Sequence, residues 1–270
     1  MKYRSTMCLF SAVTVMCTLL RTIQLAFTID IETGFIKKHY SVISIAMMAI
    51  IFLGVAMCGI FAAAMKVTPN RNESKNVAFA AVSIATGCMF IFDSVISFGQ
   101  IGGKWYDFVL RLLGLLVGFI FVVKGVNEFV KIKLPNLLYI VPVIYFVLKL
   151  VSVFITTSSL ALTSENVYII VTNSALLLFI FEYAKLKNGI TEGDYSKKIF
   201  AFGIISAMLC FIWGLPKIIL CVLGTIKYDL VDISSSISCI LLGMFAICFI
   251  ASDCKEPSKS EKASRSHLAQ

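Results

Sequence analysis

The chain has 270 residues, of which 59 % are hydrophobic and 14 % charged, with a mean hydropathy of +0.93. A soluble domain carries roughly 25 % charged residues, so this composition excludes a water-exposed fold and implies an all-α, polytopic membrane bundle. The net charge of +9 does not point to nucleic acid, because the basic residues are divided among short loops and no basic, aromatic groove is visible.

Spanning ~30 Å of hydrocarbon takes about 20 apolar residues, and eight stretches qualify. The first, 5–27, follows Lys2 and Arg4 and resembles a signal peptide. Arg21 interrupts its far end and no small-x-small cleavage site follows, so it reads as a retained helix. Thr14, Cys17, Arg21 and Gln24 share one stripe of it. The second stretch, 41–65, carries no charge. The third, 77–98, aligns Ser83, Thr86, Phe90, Asp93 and Ser97 on one face. The Gly99–Lys104 segment after it has glycines and a lysine, but lacks phosphate-loop spacing and reads as a turn.

The fourth stretch, 107–126, places Asp107 one turn before Arg111, a spacing that allows them to pair. Its Gly114-x-x-x-Gly118 motif predicts close packing inside the bundle rather than dimerisation. The fifth, 135–157, contains Pro142 and a Tyr145, Lys149, Ser152, Thr156 stripe. The sixth, 166–184, has Asn173 in mid-helix beside Thr172 and Ser174. The seventh, 199–224, carries Ser206, Cys210 and Trp213 on the face of Lys217, and Pro216 predicts a kink beside that charge. The eighth is 233–252, and the Lys-, Ser- and Glu-rich tail 253–270 reads as a disordered cytoplasmic segment.

The transmembrane domain therefore covers 1–252. Ser74-Lys75-Asn76-Val77 and Ser196-Lys197-Lys198-Ile199 match at the same offset as Cys88 and Cys210. Leu112-Leu113-Gly114 echoes Leu241-Leu242-Gly243. Two parallel four-helix repeats, 1–126 and 127–252, explain these matches; shared apolar composition is the competing explanation.

Orientation follows from the basic residues. Sixteen Lys and Arg lie in the N-terminus, alternate loops and tail, and four lie in the other loops. This bias predicts eight spans with both termini cytoplasmic, in the cell or plasma membrane. The sequon Asn72-Glu73-Ser74 falls on the predicted cytoplasmic side. All nine cysteines except Cys254 lie in apolar segments, so a disulfide framework is not expected. Cys254 is read as a plain thiol, with acylation as the alternative.

The remaining four cations are inside spans: Arg21, Arg111, Lys149 and Lys217. With Asp93 they form one layer, because 1.5 Å of rise per residue puts all five about 21–27 Å from the inner edge. An intramembrane charge costs at least ~2.5–3.5 kcal/mol and marks a candidate site. The ligand-binding or ion-coupling candidates are Asp93, Lys217, Lys149 and Arg21. Lysine and arginine can snorkel to the interface; an aspartate is too short and needs a cation from another helix or a raised pKa. The five charges sum to a formal excess of three positive charges, or two once Asp107 is counted. Glu165 and Asp232 are among the outer-loop acids available to cap the layer. An uncapped layer fits an anionic solute or a lipid head group.

His39 and His267 are the only histidines, and neither is placed for a catalytic triad or a metal site. No enzyme, metal or cofactor is expected. Two functional readings remain. One is a small permease or transport-associated subunit with an outward-facing polar cavity. The other is a non-transporting polytopic scaffold, sensor or assembly subunit.

Overall fold

The computed structural model describes residues 3–28, 37–65, 68–69, 76–99, 105–130, 135–159, 164–190, 195–226 and 228–255. Eight helices in these residues are long and apolar enough to cross a membrane. They are α1 (Tyr3–Ile23), α2 (Ser41–Ala64), α3 (Val77–Phe98), α4 (Trp105–Val130), α5 (Ile140–Ser159), α6 (Ser164–Lys187), α7 (Tyr195–Val222) and α8 (Leu230–Asp253). The chain is an all-α polytopic membrane bundle. The sequon, the Gly-rich segment after Gly99 and the tail beyond residue 255 lie outside the described residues.

Several helix ends depart from the sequence expectation. α1 continues through a π-helical turn, Gln24–Thr28. α4 runs to Val130, so Lys124 is a buried helical residue rather than a loop residue, and it pairs with Glu128 at 3.0 Å. α6 begins at Ser164, which moves Glu165 from the expected loop into the first helical turn. Negative charge there is favoured by the helix dipole. α7 passes through Pro216 as one continuous α-helix. Pro142 is the third residue of α5, where a missing N–H costs little. A two-residue antiparallel pairing, Thr68–Pro69 with Cys254–Lys255, ties the α2–α3 connection to the end of α8.

The helices close into a ring. α3 packs on α4, α4 on α5, α5 on α6, α6 on α7, α7 on α8, and α8 back on α3. α1 and α2 lie outside this ring, packed on α7. α7 is thereby surrounded: 72 % of its apolar window is buried, against 22 % for α5 and 28 % for α2. The outward faces of α2 and α5 present Val42, Ile45, Leu53, Phe154 and Ile155, which suit hydrocarbon.

Glycine sets the closest contact in the ring. A Cβ at Gly118 would lie 2.6 Å from Ile91 Cγ1 and 2.8 Å from the Gly87 carbonyl oxygen. A Cβ at Gly125 would lie 2.7 Å from the Ala80 carbonyl oxygen. The Gly114-x-x-x-Gly118 motif therefore serves α3–α4 packing inside the bundle, as its spacing predicts. Aromatic side chains fill the ring centre below the charged level. Phe90 stacks on Phe121 at 6.0 Å and meets Tyr145 at 5.7 Å, while Phe121 and Phe179 both contact Phe245, at 5.0 and 6.4 Å.

Candidate functional site

Above this aromatic layer, toward the loops that join α3 to α4, α5 to α6 and α7 to α8, the ring encloses a cavity of about 220 Å³. Each ring helix contributes to its wall: Asp93 from α3, Arg111 from α4, Lys149 from α5, Thr172 and Asn173 from α6, Lys217 from α7, and Asp232 from α8. Phe90 is part of its lining and links it to the aromatic layer below. Four of the five charges in the sequence-defined layer thus share one cavity. Asn173, singled out from its mid-helix position, shares it too.

Asp93 is 7 % exposed and accepts a 2.5 Å hydrogen bond from the Ser234 hydroxyl. Lys149 lies within electrostatic reach of Tyr145, Asp93 and Arg111. Its ammonium sits 5.8 Å from the Tyr145 ring centroid. Among the described residues, neither Lys149 nor Arg111 has an ion-pair partner. The i,i+4 pairing of Asp107 with Arg111 does not form, and the buried Arg111 Nε has no hydrogen-bond acceptor. Thr172 is 2 % exposed and its hydroxyl is likewise without a partner. Buried donors with no acceptor cost about 1–3 kcal/mol each, so these groups favour a ligand that can accept hydrogen bonds.

Arg21 does not line the cavity. It is 1 % exposed and belongs to a network at the edge of the ring. One terminal nitrogen donates to Glu165 Oε2 at 3.1 Å, the other to Gln24 Oε1 at 2.8 Å. The Gln24 amide then donates to the backbone carbonyl and hydroxyl oxygens of Ser44, both at 2.9 Å. The guanidinium lies over the Tyr168 ring, 3.9 Å from its centroid. Glu165 Oε1 holds the Lys217 ammonium at 2.6 Å. That ammonium also sits 4.3 Å from the Trp213 ring centroid, and such contacts contribute about 0.5–2 kcal/mol. Tyr228 covers the same group from the α7–α8 connection, at 5.8 Å. Burial, reinforced by the nearby Glu165 carboxylate, pushes the Tyr228 phenol up to about 12, so it stays protonated at neutral pH.

Glu165 is therefore the partner of both Arg21 and Lys217, leaving Asp93 to Ser234 and to the field of Lys149. Gln24 was visible one turn beyond Arg21, and Glu165 was visible as an acid near the layer. Ser44, Tyr168 and Ser234 gave no signal beyond being polar or aromatic in an apolar helix. Across the joined cavity and network, four cations (Arg21, Arg111, Lys149, Lys217) face three carboxylates (Asp93, Glu165, Asp232). The formal excess is one positive charge, smaller than the sequence suggests, because Glu165 and Asp232 enter the site.

No protein-family model matches the chain, and neither a curated protein nor a solved structure matches it significantly.

Proposed function

We propose that this multi-pass membrane protein is a small permease or transport-associated subunit that takes a small anion into the cavity of its six-helix ring. The observation carrying this reading is the convergence of Asp93, Arg111, Lys149 and Lys217 from four helices on one cavity. Its volume falls below the ~300–1,000 Å³ of pockets for drug-sized ligands, which fits an inorganic anion or short carboxylate. Arg111 and Lys149 attract the anion, the Thr172 hydroxyl donates to it, and Asp93 supplies the counter-charge. The loop-charge bias supports an orientation with the cavity outward and both termini cytoplasmic. No catalytic chemistry is assigned to the site.

Flux of chloride, nitrate, acetate and inorganic phosphate into proteoliposomes tests the proposal. The wild type is expected to carry at least one of them; Lys217→Met is expected to slow it by about tenfold or more, since truncating one member of a buried charge pair costs at least ~2 kcal/mol, and Asp93→Asn to slow it by removing the counter-charge. Unchanged flux in both variants removes those roles.

A second reading rests on a separate observation. An apolar groove of about 520 Å³ runs between α1 and α7, lined by Phe10, Thr14, Met208, Leu215 and Ile219. It suits a partner helix in a non-transporting assembly subunit. A stoichiometric co-purifying partner, with no flux by the isolated protein, selects that reading.

A further inference from the structure

We infer that Glu165 is a built-in competitor for the cavity's ligand, an internal anion that a bound anion displaces from Lys217. The inference rests on the cavity being an anion site and assigns its regulation. Lys217 is the residue shared by the two halves of the cluster. It lines the cavity, yet its ammonium is held by Glu165 at 2.6 Å. The Glu165 side chain is 25 % exposed overall, against 8 % for Lys217 and 1 % for Arg21, and its buried Oε1 pairs with Lys217 by charge without accepting a hydrogen bond, so Glu165 is the least enclosed member of the network. It also has somewhere to go. Arg21 already donates to its other oxygen, and the buried Arg21 Nε has no acceptor.

An anion arriving beside Arg111 and Lys149 meets Lys217 as the next cation. Taking that ammonium frees Glu165 to turn wholly to Arg21, so Arg21 and Lys217 both stay paired throughout. The exchange links two parts of the fold. Arg21 is on α1, outside the ring, and reaches α2 through Gln24 and Ser44. Glu165 is on the first turn of α6 and Lys217 on α7. Loading the cavity thereby loosens the α6–α7 tie and tightens the α1–α6 tie at the cavity's mouth.

The test uses the full chain in detergent with Trp105→Phe, which removes an exposed tryptophan and leaves Trp213 as the only one. Its fluorescence reports on Lys217 as acetate or inorganic phosphate is titrated. Wild-type saturation, with an apparent dissociation constant about tenfold lower in Glu165→Gln, is the expected result. Saturation in Glu165→Gln alone also supports competition. Saturation in the wild type with equal or weaker binding in Glu165→Gln overturns the competitor role and leaves the cavity's anion site standing. No saturation in either chain overturns both. Arg21→Gln/Glu165→Gln removes opposite charges together and is read by the same criteria if the single variant does not fold.

Discussion

Replacing Glu165 by alanine is expected to destabilise the bundle by roughly 3–5 kcal/mol, because it strands two buried cations. Arg21 is 1 % exposed and Lys217 6 %, so neither can recover hydration by a small movement. Arg21 would keep Gln24 and the Tyr168 ring, but Lys217 would keep only aromatic faces and the more distant field of Asp232. Equilibrium unfolding in mixed micelles measures the loss. The same reasoning predicts a rescue. Replacing all three charges with Arg21→Met, Glu165→Leu and Lys217→Met is expected to recover most of it, since an apolar set of similar volume often replaces a buried ion cluster without loss. A triple variant as unstable as Glu165→Ala would show that the network contributes through something other than its charge balance.

Gly118→Leu is expected to be severely damaging to the α3–α4 interface. A Cβ alone would meet Ile91 and the Gly87 carbonyl oxygen at 2.6 and 2.8 Å, and the second is backbone that cannot rotate away. Overpacking generally costs about 1–3 kcal/mol and more when backbone must shift. Asp93 lies two residues beyond Ile91 on α3, so separating these helices also widens the cavity wall. Loss of stability and loss of anion binding are expected together. Gly99→Ala is the control. Gly99 caps α3 with φ −68°, and its nearest neighbour to an added Cβ is at 3.5 Å. A change within about 0.5 kcal/mol is expected there.

The spans were legible because a bilayer demands long apolar runs, and the layer was legible because helical rise is constant. Depth alone could not assign azimuth. Arg21 has the same depth as Asp93 yet sits outside the ring, on a helix that packs on α7. Pairing was hidden for a related reason. Starting the sixth span at 166 rather than Ser164 left Glu165 in a loop, one residue outside the helix whose first turn aims it at Arg21 and Lys217. The expected Asp107–Arg111 pair relied on spacing within one helix, whereas the fold turns Arg111 into the cavity. The ring itself was not legible, because apolar helices carry little information about their neighbours. The expectation that α4's glycines pack internally held because small residues are required wherever helices touch backbone to backbone.

The most direct test of the anion cavity is an experimental structure of the full chain equilibrated with bromide and read by anomalous scattering. The account predicts a bromide inside the ring, within hydrogen-bond distance of the Arg111 guanidinium and the Lys149 ammonium. Bromide found only at exposed lysines, with none between Arg111 and Lys149, would contradict it.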